Sequence, residues 1–213
     1  IGFVNGYKSS TTNKKNSLSH LFLDYAVNLN FENYITSDLK LSLEKISNDK
    51  YLKIFDPHIT KSDLRPDNFD KLNSSFKMFL EHEDFNFESG LQSYENLQIA
   101  NQSDRYQYIF PYYNFDKSIS QNYLNGNLNF SSNGSNNLNN TNNLKTSITN
   151  NLNYNSMDFI SNFGIKSNYA INLQNLNSIG KKISQYKSSP QIELAGIFNL
   201  DLSLPMSKNN DKY

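Results

Sequence analysis

The chain has 213 residues, a formal net charge of +0 from 20 basic and 20 acidic residues, and no cysteine. The even balance of charge argues against a nucleic-acid partner, and the missing cysteine excludes a disulfide framework and thiolate metal sites. Only 37% of residues are hydrophobic, but aromatic residues reach 14%. Disordered chains are poor in aromatic residues, so the arrangement of the apolar residues decides the class of protein.

The first predicted element is a strand over 21–31. Its odd positions are Leu21, Leu23, Tyr25, Val27, Leu29 and Phe31, and the polar residues between them include Asp24, Asn28 and Asn30. A period of two is typical of a strand with one apolar and one polar face. The alternation returns over 35–43 after a turn at Glu32-Asn33, so the two segments are expected to form a hairpin.

The same period recurs along the rest of the chain. It predicts strands over 72–80, 85–91, 105–115, 124–130, 144–154, 159–173 and 192–204, which makes about nine strands and no amphipathic helix. Longer polar loops are expected at Ser47–Asn68, Ser131–Asn143 and Gln174–Pro190, and a polar turn at His82-Glu83-Asp84. All prolines are expected at loops or strand ends, where a missing N–H does not break the sheet.

Strand length separates the β classes. The predicted runs reach about 11–15 residues, against about 5–6 in soluble proteins and roughly 9–11 for a tilted strand that crosses a membrane. The pattern therefore predicts an all-β fold, an antiparallel meander of long strands that forms part of a transmembrane β-barrel. Aromatic residues near strand ends suit an interfacial girdle: Tyr34, Tyr94, Tyr123 and Tyr154. Ile165, at the centre of the 159–173 alternation, is expected to face lipid near the midplane.

A resemblance to a known family rests on Asp104–Pro111 with Tyr113-Asn114-Phe115 after it. This stretch resembles the Arg-Tyr-x-x-x-x-Pro-x-x-x-Phe segment in the barrel domain of the LptD family of lipopolysaccharide-assembly proteins. The matching positions are Arg105, Tyr106, Pro111 and Phe115, and Leu202-Ser203-Leu204-Pro205-Met206 is similar to a strand end of that family. The resemblance implies a structural role for these four residues and for Pro205. It covers nearly the whole chain.

The resemblance implies a protein of the Gram-negative outer membrane that inserts lipopolysaccharide into the outer leaflet, without enzymatic activity or cofactor. The implied partners are lipopolysaccharide, a plug lipoprotein like LptE, a periplasmic bridge protein like LptA, and membrane lipid. Residues 1–213 would be a piece of the barrel domain truncated at both ends, because the chain opens at Ile1 in mid-pattern and about nine strands cannot close so large a barrel. The fragment is therefore expected to be an open, curved sheet.

Two other classes remain open at this point. A diffusion porin or nutrient receptor has the same lipid-facing surface, although a porin favours a constriction loop with clustered charges and none is evident. An Asn-rich extracellular β-solenoid adhesin would need a repeat of fixed length, and the sequence contains none.

Few side chains suggest a chemical site. Asp56-Pro57-His58 with Asp63 could hold a cation, but a solvated turn is the favoured interpretation. No nucleophile elbow accompanies the Ser, His and Asp residues. Arg105 either pairs with an acidic residue of the lumen and fixes strand register, or faces water. The low-complexity stretch Asn133–Asn143 is expected to be an external loop.

Overall fold

The computed structural model describes residues 2–9, 12–59, 63–99, 102–119, 125–140 and 142–204, with side chains described from residue 18 onward except at 102 and 103. These residues form one antiparallel sheet in which strands that follow each other in sequence pair in space. The strands are β1 (Gly2–Ser9), β2 (Thr12–Asn28), β3 (Thr36–Ile46), β4 (Lys71–Glu81), β5 (Phe85–Asn96), β6 (Tyr106–Ile119), β7 (Gly126–Asn139), β8 (Asn143–Ser156), β9 (Phe159–Ile160), β10 (Lys166–Lys181) and β11 (Gln191–Ser203).

The predicted all-β meander of long strands is confirmed. β2 has 17 residues, β10 has 16, and β6, β7 and β8 have 14 each. The two-residue β9 pairs only with β10, and the other ten strands follow the chain order across the sheet. Within the described residues no second sheet packs on the first, so the structure differs from a soluble sandwich.

The prediction of a loop over Ser131–Asn143 is wrong, because β7 continues to Asn139 and β8 begins at Asn143. The two strands pair without interruption from Gly126↔Ser156 to Asn139↔Asn143. The stretch is rich in Asn and Ser, which rarely indicate a strand, but these short polar side chains bond across the strands. Asn151 Nδ2 donates to Ser131 Oγ at 3.3 Å. The prediction failed because it relied on apolar residues alone.

The 159–173 alternation is also interrupted. Its first residues form β9, a turn follows, and β10 begins only at Lys166 and then extends through part of the predicted Gln174–Pro190 loop to Lys181. Gly164 lies in the turn with φ 78°, a conformation that favours glycine. Ile165 therefore lies beside the turn, and its expected place at the middle of a strand is wrong. The strand β1 and the first half of β2 were not predicted.

The connections divide between two ends of the sheet. The strand ends at the cap end flank the connections 47–70, 97–105, 140–142 and 182–190, and those at the hairpin end flank 29–35, 82–84, 120–125 and 157–165. The expected polar turn at 82–84 is confirmed. Only the 47–70 connection is much longer than the rest, so the predicted contrast between long loops and tight turns rests on that one segment.

Pro111 lies inside β6, at a point where the strand carries an extra residue. The register shifts between Ile109 and Tyr112 relative to both β5 and β7, and the Phe110–Pro111 peptide is cis. A bulge tolerates proline in a strand interior because the missing N–H falls outside the ladder. The expectation that prolines lie at loops or strand ends holds for Pro57, Pro66 and Pro190. It is wrong for Pro111, and Pro205 lies outside the described residues.

A buried apolar cluster closes part of the cap end. The 47–70 connection contains a one-turn helix, α1 (Tyr51–Phe55), and a 3-10 turn over Asp56–His58. Leu52 and Leu72 are 0% and 1% exposed. The cluster consists of Leu18, Ile46, Tyr51, Leu52, Ile59, Leu72 and Leu97. This packing fixes the long connection against the ends of β2 to β5.

Candidate functional site: the two faces of the sheet

One face of the sheet is largely apolar. The register between neighbouring strands is continuous except in β6 and at β1, and directly paired residues share a face. This apolar face carries Leu21, Leu23, Tyr25, Val27, Leu39, Leu41, Leu43, Phe76, Met78, Leu80, Phe87, Leu91, Phe115, Leu128, Phe130, Leu152, Tyr154, Tyr169, Ile171, Leu173, Ile192, Leu194, Phe198, Leu200 and Leu202. The predicted common face of 21–27 is therefore confirmed, whereas Leu29 and Phe31 lie beyond the end of β2.

The opposite face is polar. Its side chains include Asp24, Asp38, Lys40, Ser42, Asn73, Ser75, Lys77, Glu88, Gln92, Asn114, Asp116, Asn129, Ser131, Asn133, Thr149, Asn151, Asn153, Asn172, Gln174, Asn199 and Asp201. Acidic and basic groups are mixed on this polar face, and Phe22, Phe79, Leu176 and Ile197 are apolar exceptions. The residue types can hydrogen-bond water or sugar hydroxyls along the sheet.

No element of the described residues covers the apolar face. Phe198 is 62% exposed, Leu200 55% and Leu194 80%. A soluble monomer rarely exposes a contiguous apolar surface larger than about 300–600 Å². The face therefore requires an apolar environment or a partner.

The apolar face has a polar border toward the cap end. The border residues are Lys45, Ser74, Ser93, Ser132, Asn150 and Asn175. Between this border and the hairpin end the face is a mainly apolar band, formed by its side chains within 75–81 in β4, 85–92 in β5 and 151–156 in β8. Its polar members include Ser37, Ser89 and Lys117, and Lys117 pairs with Phe85 and with Phe130. The band continues into the hairpin-end connections, where apolar side chains are exposed: Phe31, Ile35, Met157, Phe159, Ile160 and Phe163.

Part of the border is a chain of hydrogen bonds across β6, β7, β8 and β10. The hydroxyls of Tyr113 and Ser132 lie 3.1 Å apart, and Ser132 Oγ donates to Asn150 Oδ1 at 2.7 Å. Asn150 Nδ2 then donates to Asn175 Oδ1 at 3.1 Å. Asn177 Nδ2 donates to the same oxygen at 2.5 Å, and Asn175 Nδ2 donates to the Glu193 carbonyl at 3.3 Å. We call this chain of five side chains the polar ladder.

A groove of about 420 Å³ adjoins the polar ladder on the apolar face. Its lining side chains on this face are Phe130, Asn150, Leu152, Leu173, Asn175 and Leu194. Gly196 pairs with Leu173 and contributes no side chain, which leaves the groove open over β11. One end of the groove is thus amide-lined and the remainder is apolar.

A second cluster, at the cap end, contains Arg105. Its Nε donates to Glu95 Oε1 at 2.7 Å and its Nη2 to Asp49 Oδ1 at 2.6 Å. Glu95 also accepts from Lys45 Nζ and from the Tyr106 hydroxyl, each at 3.1 Å. The side chains of Arg105 and Glu95 are only 12% and 9% exposed. We call these side chains the Arg105 cluster. Its two cations, Arg105 and Lys45, balance the two anions, Asp49 and Glu95. Its hydrogen bonds connect the 47–70 connection to β5 and β6.

The Arg105 cluster answers one open question from the sequence. Arg105 pairs with acidic residues rather than facing water. The hydrogen bond from Arg105 lowers the pKa of the Asp49 carboxyl below its usual range, although Asp49 is itself partly exposed. The partners Asp49 and Glu95 were not singled out from the sequence, because they lie 56 and 10 residues from Arg105 and no spacing links them.

The motif residues are distributed along β6 rather than gathered in one place. Arg105 ends the helical turn α2 (Gln102–Arg105), and Tyr106 begins β6. Pro111 lies at the bulge, and Phe115 is on the apolar face, where its ring centroid is 5.8 Å from that of Phe85. Pro205 lies outside the described residues. The arrangement suits residues that shape one strand and anchor its end.

The suggested cation site has a different role. Asp56 forms an ion pair with Arg65, and Asp63 is exposed. Within the described residues no group of three His, Asp or Glu side chains is arranged to hold a metal ion. Across the same residues, helices long and apolar enough to cross a membrane are absent.

Comparison with known proteins gives no assignment. No protein-family model matches the chain, and no curated protein matches it at a significant level.

Proposed function

We propose that this chain is part of an outer-membrane β-barrel whose apolar face meets lipid and whose polar face lines a hydrated lumen. The observation that carries the proposal is the single-layer sheet of long antiparallel strands with two chemically different faces. In a bilayer the uncovered apolar band would be buried, at a gain of about 25 cal/mol per Å² removed from water. Paired strands also hydrogen-bond their backbone N–H and C=O groups to each other, which a membrane requires because its hydrocarbon core has no water to bond them.

Closure of the barrel is part of the same proposal. β1 and β11 each pair with one neighbour among the described strands, so each has a row of free backbone groups on its outer side. In hydrocarbon such groups are very unfavourable, and barrels avoid them by closing. Further strands of the barrel are the natural partners for β1 and β11.

Within this class, we propose insertion of lipopolysaccharide into the outer leaflet, without enzymatic chemistry. The resemblance of 105–115 to the LptD family supports this choice over a general diffusion porin. The polar face would guide the sugars through hydrogen bonds, while acyl chains would pass through an opening of the wall into the bilayer. A plug lipoprotein in the lumen and a periplasmic bridge protein would complete the pathway. The Arg105 cluster would hold the 47–70 connection at the cap end of the barrel wall, on the side of the apolar face.

The test is depletion of the complete protein in its host bacterium. The proposal predicts that lipopolysaccharide labelled at the cell surface falls while periplasmic lipopolysaccharide accumulates. The porin alternative predicts unchanged surface lipopolysaccharide, together with stepwise ion conductance when the purified protein is added to planar bilayers. Conductance with normal surface lipopolysaccharide would contradict the assembly function and leave the barrel proposal intact.

A further inference from the structure

The groove beside the polar ladder combines apolar walls with amide groups at one end. Asn150 and Asn175 each carry two amide N–H donors. One donor of Asn150 goes to Asn175 Oδ1, and one donor of Asn175 goes to the Glu193 carbonyl. The second donor of each amide has no partner within the described residues. Two hydrogen-bond donors are therefore available at the amide end of the groove.

The remaining walls are hydrocarbon. The row below the ladder consists of Phe130, Leu152 and Leu173, followed by the backbone of Gly196. Leu194 closes the groove on β11. The volume of about 420 Å³ lies within the range of about 300–1,000 Å³ that is usual for small-ligand sites. An apolar chain with a hydrogen-bond acceptor at one end matches this lining.

The position of the ladder on the sheet is consistent with such a ligand. The ladder belongs to the polar border, and the apolar band extends from it toward the hairpin end. In a membrane, the carbonyl groups that join acyl chains to a lipid headgroup lie where hydrocarbon gives way to polar surroundings. A lipid with its acyl linkage beside Asn150 and Asn175 would place its chain over Leu152 and Leu173.

We propose that this groove is a binding site for one acyl chain of a bilayer phospholipid, whose ester carbonyl accepts a hydrogen bond from Asn150 or Asn175. The inference rests on the proposed membrane location of the apolar face. No Lys or Arg is among the residues that line the groove, so it recognises the acyl linkage and not the phosphate. The site would hold a lipid on the outer wall, separate from the polar face.

The experiment uses the complete protein, delipidated in detergent and titrated with either diester or diether phosphatidylcholine. The diether lipid has the same chains and headgroup but no carbonyl. Native mass spectrometry counts the lipids retained. We expect one retained lipid, with the diester form bound about five-fold more tightly, as one hydrogen bond supplies. Replacing both Asn150 and Asn175 by Leu should remove this preference for the diester form, since both candidate donors are then absent.

Gly196→Val fills the groove, and Ala170→Val is the matched control because Ala170 lies on the polar face, opposite Asn199, and does not line the groove. Both variants should insert into phosphatidylcholine vesicles and migrate as folded barrels on unheated gels. Loss of the retained lipid in Gly196→Val but not in Ala170→Val supports the site. Equal retention in the two variants, or no preference for the diester lipid, overturns it. If the unaltered protein failed to enter vesicles, the proposed membrane location would fail instead.

Discussion

At the scale of single residues, Arg105 links parts of the chain that are far apart in sequence. It contacts two carboxylates from different parts of the chain, and the more buried of these, Glu95, is shared with Lys45 and Tyr106. A planar guanidinium can serve two carboxylates at once, which a lysine at this position cannot do in the same geometry. The residue thereby joins a long connection to two strands.

Replacement of Arg105 by Gln should lower the free energy of unfolding by about 2 kcal/mol, because the buried Glu95 loses its strongest donor but keeps Lys45 and Tyr106. Lys53→Gln is the control, since Lys53 pairs with Asp70 on the surface and such pairs contribute about 0–1 kcal/mol. Reversible urea unfolding of the complete protein in lipid vesicles measures the free energy of unfolding of both variants. Equal values for the two variants would contradict a structural role of Arg105.

The bond from Arg105 to Asp49 should also give the 47–70 connection a dependence on acid. Because the pKa of Asp49 is lowered in the folded protein, its stabilisation is present above the ordinary carboxyl value of about 3.9 and is lost as pH falls through the folded value. Hydrogen exchange over 47–59 should therefore be unchanged from pH 7 to about 5 and increase, after correction for intrinsic rates, below about 4. In Asp49→Asn this increase should be smaller.

At the scale of the elements, β6 is shaped by its bulge and by the tyrosines beside it. Tyr112 points to the polar face, where its hydroxyl donates to Glu88 at 2.8 Å. Tyr113 points to the apolar face and lies over Gly134, its direct partner on β7. A Cβ at position 134 would overlap the Tyr113 ring. Glycine here makes room for an aromatic ring that begins the polar ladder.

Gly134→Val should therefore destabilise the sheet by about 1–3 kcal/mol, since the Tyr113 ring must leave its place and its hydroxyl must leave Ser132. Asn133→Val adds the same side chain at the neighbouring position on the polar face, where it is exposed. The free energy of unfolding in lipid vesicles is again the measured quantity. A Gly134→Val variant as stable as Asn133→Val would show that the Tyr113 position is unimportant.

The elements also show where sequence reasoning succeeds. Alternation predicted β3, β4 and β5 to within a few residues, because each has at least three apolar side chains in the series of alternate positions on one face. It failed from Ser131 onward in β7, where Ser131 and Ser132 bond to Asn151 and Asn150 of β8, and such bonds become visible only when the partner strand is known. Asn150 and Asn175 occupy positions of an apolar series, between Ile148 and Leu152 and after Leu173, and such departures from the pattern are the signal in the sequence that marks the ladder.

At the scale of the whole molecule, the described structure has little interior for its size. Its buried apolar residues gather mainly at the cap end, while the apolar band on the sheet remains uncovered. A folded domain normally buries its apolar faces between two layers. The second layer is absent from the described residues, and lipid is the environment that replaces it in our proposal. The sequence predicts the two faces, but long-range contacts such as Arg105–Asp49 and the shape of the groove depend on the register of every strand between them.

The lipid-facing assignment can be tested on one strand. Leu41 lies within the apolar band of β3, between Tyr25 and Phe76 on the neighbouring strands. Leu41→Arg should lower the free energy of unfolding in lipid vesicles by about 2–4 kcal/mol, because the charge would enter hydrocarbon. Ser42→Arg adds the same side chain to the polar face, directly opposite Asp24, and should change stability by less than about 1 kcal/mol.

The comparison between Leu41→Arg and Ser42→Arg separates a lipid-facing surface from a water-facing one. The two positions are adjacent in one strand, and the introduced arginine has the same length and strand propensity in both variants. An apolar band exposed to water would tolerate arginine at position 41, since the charge would remain hydrated. A penalty at Leu41 as small as that at Ser42 would therefore show that this face does not contact lipid, and both the barrel proposal and the acyl-chain site that depends on it would fail together.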